Sequence, residues 1–72
     1  MSKEKVIDLI GNEEINSLLR SIGIKIGSEI EIMDNVINII DTAPNGIVVT
    51  TKYGVRFIPQ DVANCIITET IR

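Results

Sequence analysis

A chain with one cysteine, Cys65, and no histidine cannot close a disulfide within itself or build the usual zinc site, and that governs what 72 residues can become. Chains of this length bury a smaller share of their surface than larger ones, so they often rely on such staples. Here stability has to come from packed aliphatic side chains. The composition provides them, with 44% apolar residues, rich in isoleucine and valine and poor in aromatics. There is room for one core, and the whole chain, residues 1–72, reads as a single domain without repeats or linker-like tracts.

Residues 4–10 carry Val6, Ile7, Leu9 and Ile10, which suit a strand. Val6, Leu9 and Ile10 also satisfy helical spacing, so periodicity leaves both readings open, and the strand is the one adopted. Asn12 is placed to accept from a free backbone N–H as a helix cap, with Glu13 and Glu14 at the positive helix end. Ile15, Leu18, Leu19 and Ile22 then recur at i, i+3, i+4 and i+7. Arg20 sits near the negative end and Gly23 provides a left-handed stop, so the pattern predicts a helix over 13–22.

Glu29, Ile30, Glu31 and Ile32 alternate as a strand with one wet face. A turn-rich break at 41–46 precedes the β-branched run 47–51. Tyr53 and Gly54 form a tight turn into a strand over 55–58, giving a hairpin. Pro59 ends that strand, residues 60–64 make one short helical turn, and 66–70 is a closing strand. Short connections favour antiparallel pairing. The expected fold is mostly β: a small antiparallel barrel of about five strands that hides its edges, with one helix inserted after the first strand.

The segment Leu18, Leu19, Arg20, Ser21, Ile22, Gly23, Ile24, Lys25, Ile26, Gly27, Ser28, Glu29, Ile30 resembles the FeoA family, small SH3-like barrel proteins of bacterial ferrous iron transport. Gly23, Ile24 and Gly27 match that family's turn after the helix, while Ile26 stands where proline is common. Gly54, Arg56, Ile58, Ala63 and Ile66 match its later pattern, and Thr68 departs from the usual valine. The resemblance covers about residues 5–68 and rests on packing and turn signals. Two departures are the short lead-in to the first strand and the apolar run Val36, Ile37, Asn38, Ile39, Ile40 between strands. That run either extends a strand pair into the core or leaves an apolar patch for a partner. The same barrel closes metal-dependent repressors of the diphtheria toxin repressor type; without a helix-turn-helix here, a DNA-binding repressor is not expected.

Several function classes fall away on composition. Net charge is −3 and the basic residues are scattered, so nucleic acid is not an expected partner. Apolar runs are far shorter than the roughly 20 residues of a membrane span, and no leader pattern opens the chain, so a cytoplasmic location is expected. Acid–base chemistry without histidine, and a cysteine with no activating base, give no footing for an enzyme. Cys65 is read as a small core residue, and Gly23 and Gly27 as turn glycines lacking a phosphate-loop pattern.

For ferrous iron the only candidate ligands are carboxylates: Glu13 with Glu14, or Glu29 with Glu31 and Asp34. None forms a convincing set, because oxygen-only sites suit harder ions, and no cofactor is expected. The resemblance implies a non-catalytic accessory protein that docks on the cytoplasmic part of the FeoB permease, a membrane GTPase. The candidate partner-binding residues are Arg20, Ser21 and Lys25 at the helix end, with Tyr53 and Arg56 of the hairpin. The alternative is a free-standing SH3-like interaction module not tied to iron, and self-association is a further expectation to test.

Overall fold

The computed structural model describes residues 2–36 and 45–71. Its elements follow in the order β1 (Ser2–Leu9), α1 (Glu13–Ser21), β2 (Glu29–Val36), β3 (Gly46–Thr51), β4 (Gly54–Pro59), α2 (Gln60–Ala63) and β5 (Ile66–Thr70). The strands form one sheet in the order β4-β3-β2-β1-β5, with every neighbouring pair antiparallel. This is the expected mostly β arrangement of five antiparallel strands, with the helix after the first strand. Of the apolar run 36–40, Val36 ends β2; Ile37, Asn38, Ile39 and Ile40 lie outside the described residues, as do 41–44 of the expected turn.

Local chemistry explains where α1 starts and stops. The Asn12 side-chain oxygen accepts from the Ile15 N–H at 2.8 Å, satisfying one of the free donors of the first turn. At the other end Gly23 adopts φ +95°, and the chain folds back so that Ile24 N–H donates to Leu19 carbonyl and Gly23 N–H to Arg20 carbonyl. That is the two-bond left-handed stop, and its usual apolar contact is supplied by Leu19 and Ile24, both fully buried. The helix therefore ends at Ser21, one residue before the expected Ile22, which becomes the capping residue.

The core takes one side chain from nearly every element: Val6, Leu19, Ile24, Ile30, Val49, Ile58 and Ala63. The double reading of residues 4–10 has a structural cause. Between Val6 and Asp8 the register against β5 slips, so Ile7 is the extra residue of a bulge and turns out to solvent while Val6 and Leu9 stay inward. A similar shift in β2 leaves Met33 exposed. Cys65 is not part of the buried cluster: it is half-buried at the turn before β5, its thiol near the carbonyl of Asp61 at 3.6 Å.

The outward face of the central strands is charged and self-complementary. Register places Lys3 opposite Glu31, and Lys5 opposite Glu29 and Glu69. Among the described residues no ladder joins β4 to β5, so the two terminal strands keep one unpaired edge each instead of hiding it.

Candidate docking groove

The apolar stripe of α1 is wider than the small sheet can cover. Leu19 sinks into the core, and Ile15 and Ile22 pack against it, but Leu18, about 100° around the helix, remains 56% exposed. Across from it runs β4, the end strand of the sheet, whose Ile58 points into the core. Pro59 then leads into α2, which presents Val62 on the same side. Between these elements lies a cleft of about 250 Å³ walled by Leu18, Ile22, Arg56, Phe57, Pro59 and Val62, with Leu19 and Ile58 in its lining.

The ladder geometry fixes what β4 offers to this cleft. Pro59 faces Gly46 and has no N–H, so that pair exchanges no full set of bonds. Bonded and non-bonded pairs alternate along an antiparallel ladder, which assigns the bonded positions to Ile58 with Ile47 and Arg56 with Val49. The N–H and C=O groups of Val55 and Phe57 consequently point away from β3, along the open edge. The one bond recorded there agrees: Arg56 Nη1 donates to the Val55 carbonyl at 2.9 Å. On the outer sheet face Val55 and Phe57 are also exposed, at 58% and 45%. Phe57 lies over Gly46, where an added Cβ would come within 2.6 Å of the ring.

The five residues singled out from sequence divide between the groove and its surroundings. Arg56 lines the cleft and is its single charged wall residue among the described residues. Tyr53 is exposed beside it, its ring edge 3.0 Å from where a Cβ on Gly23 would sit and Lys52 Nζ 5.1 Å from its centre. The hairpin turn and the helix end are thus brought together, as the Thr51 hydroxyl confirms by bonding the Ile22 carbonyl at 2.8 Å. Arg20, Ser21 and Lys25 are exposed but do not line the cleft. Arg20 is paired with Glu13 at 2.5 Å, and the Ser21 hydroxyl bonds the Leu18 carbonyl at 2.6 Å. Sequence reasoning missed Leu18, Phe57, Pro59 and Val62, since the open edge that makes them a surface is set by strand order.

Compared with known proteins, the chain matches no family model, no curated protein and no solved structure.

Other polar features have local explanations. The carboxylates considered for iron are spread out: Glu13 bonds Arg20, while Glu29 and Glu31 face the lysine row of β1. The side chain of Asp34 lies outside the described residues. No group of three or more His, Cys, Asp or Glu side chains placed to hold a metal occurs among the described residues. A shallow depression over Lys3, Glu29, Glu31, Thr50 and Lys52 carries both signs of charge on the outer sheet face. Glu4 is buried on β1; Thr68 donates to its Oε1 at 3.0 Å, and its Oε2 has no partner among the described residues. Among the described residues no helix is long and apolar enough to cross a membrane.

Proposed function

We propose that this chain is a non-catalytic accessory protein that works by docking, and that its partner is the cytoplasmic part of a ferrous iron permease of the FeoB type. The observation that carries the docking reading is the apolar cleft of about 250 Å³ between α1 and the edge of β4, where the side chains of Leu18, Ile22, Pro59 and Val62 converge and Leu18 stays 56% exposed. The sequence holds no histidine, and its one cysteine sits at a turn, which favours recognition over reaction chemistry.

The iron-transport partner rests on the resemblance to FeoA. The residues that carry it have defined structural parts: Gly23 and Gly54 adopt positive φ, and Ile24, Ile58 and Ala63 are buried. They support an architecture shared with that family, and the permease partner and cytoplasmic location follow from the family's role. A second reading, an SH3-like module for a partner unrelated to iron, is favoured by the plainness of the cleft, whose walls are aliphatic apart from Phe57 and Arg56. Its single aromatic is too few for a proline-rich ligand, which docks in aromatic-lined grooves.

Titration of the full chain into the isolated cytoplasmic domain of such a permease separates the two, with an established accessory–permease pair as the positive control. Saturable binding supports the iron-transport reading. No binding, while the control pair binds under the same conditions, rejects it in favour of the second.

A further inference from the structure

We infer that the cleft beside β4 accepts an extended peptide by strand addition, and that the segment it takes has aliphatic side chains at alternate positions and a carboxylate near one end. This deepens the docking reading and rests on it. Three independent features define the occupant.

The first is the backbone. Among the described residues β4 ends the sheet, the N–H and C=O groups of Val55 and Phe57 point outward, and no backbone bond outside the ladder engages them. An extended segment laid along this edge continues the ladder, and main-chain bonds then supply affinity with little regard to sequence. The second is the wall opposite. Leu18 and Ile22 of α1 and Val62 of α2 face the edge across the cleft, so side chains directed to that side of an added strand meet aliphatic surface. Successive side chains of a strand point to opposite faces, which restricts the apolar requirement to every second residue.

The third is charge. Among the described residues Arg56 is the single charged one lining the cleft, and the one ion pair among them joins Arg20 to Glu13, so Arg56 has no acidic partner among them. Its guanidinium rests on the Val55 carbonyl. In the free protein that contact covers an edge acceptor, a common means of discouraging pairing between identical edges. When a peptide arrives, Arg56 exchanges the carbonyl for the peptide's carboxylate, a stronger charge-assisted bond, and releases Val55 to the ladder.

The test is to select a displayed library of random octapeptides against the full chain and measure the enriched peptides with isotope-labelled protein. Enriched sequences are expected to carry Val, Ile or Leu at every second position with Asp or Glu toward one end. The amides of Val55 and Phe57 should shift on binding and exchange with solvent about tenfold more slowly. Leu18→Lys and Arg56→Glu should each weaken binding about tenfold, as for anchor residues. Replacing the peptide's acid by lysine should restore binding to the Arg56→Glu protein. Leu18 is exposed, so its variant keeps the fold and serves as the groove test by itself.

Absence of enriched peptides, enrichment without alternation, or equal binding to wild type and Leu18→Lys overturns the inference. Its failure is distinct from that of the docking reading. A permease domain that binds wild type and Leu18→Lys equally removes the groove and leaves docking intact. Octapeptides that bind where the permease domain does not remove the iron partner and leave the groove.

Discussion

The Thr51 hydroxyl donates to the Ile22 carbonyl at 2.8 Å and accepts from the Tyr53 N–H at 3.1 Å, so one side chain ties the end of α1 to the β3–β4 turn. Ile22 is a capping residue whose carbonyl lies beyond the helix's own bonding pattern. The two walls of the cleft are therefore held at a fixed spacing by a partly buried bond 29 residues apart in sequence.

Thr51→Val removes that tie while keeping the shape of the side chain. It should lower stability by about 1–2 kcal/mol in urea unfolding, since the Ile22 carbonyl and Tyr53 N–H lose a partner together. Thr51→Ser retains the hydroxyl and should stay close to wild type.

The two adjacent leucines of α1 should behave oppositely. Leu19→Ala opens a cavity in a fully buried position and should cost about 2–5 kcal/mol, enough to unfold much of a domain this small. Leu18→Ala leaves an exposed position and should change stability by less than about 0.5 kcal/mol. Equal losses would mean that Leu18 belongs to the core and that the cleft is misplaced.

Gly23 and Gly27 both have positive φ, but only Gly23 is crowded. Alanine at either position carries the left-handed cost of about 1–2 kcal/mol. At Gly23 the new methyl also meets the Tyr53 ring, so Gly23→Ala should be the more destabilising of the two. Tyr53→Ala should reduce the difference between them, which a double-mutant cycle reads as non-additivity.

Among the described residues the buried Glu4 is hydrogen-bonded on one oxygen only, and a buried carboxylate oxygen without a donor costs free energy. Glu4→Met should leave the unfolding midpoint unchanged or raised, because an apolar chain of similar length replaces a poorly satisfied group. Thr68→Val, which removes the one donor while leaving the carboxylate, should lower it by about 1–3 kcal/mol.

Elements whose signals are local were legible in the sequence. Asn12, the i, i+3, i+4 stripe and Gly23 each act within one or two helical turns, and α1 formed where they placed it, shortened by a residue at Ile22. The hairpin at Tyr53 and Gly54 and the helical turn after Pro59 were equally local. Ile7 defeated periodicity because a bulge inserts one residue and breaks the two-residue repeat. Leu18 fitted the core-facing pattern of α1, yet its exposure depends on β4 being the last strand and lying opposite, a long-range fact. For the same reason the candidate site was half seen: Arg56 lines the cleft and Tyr53 flanks it, whereas Arg20, Ser21 and Lys25 stand on the solvent side of the helix end.

The measurement that bears most directly on the account is a map of backbone amide shifts in the labelled full chain as the permease's cytoplasmic domain is added. Recognition through the α1–β4 cleft predicts changes concentrated at Leu18, Ile22, Val55, Arg56, Phe57 and Val62, with the charged rows of Lys3, Lys5, Glu29 and Glu31 unmoved. Shifts centred on those charged rows, or none at saturating partner, would contradict it.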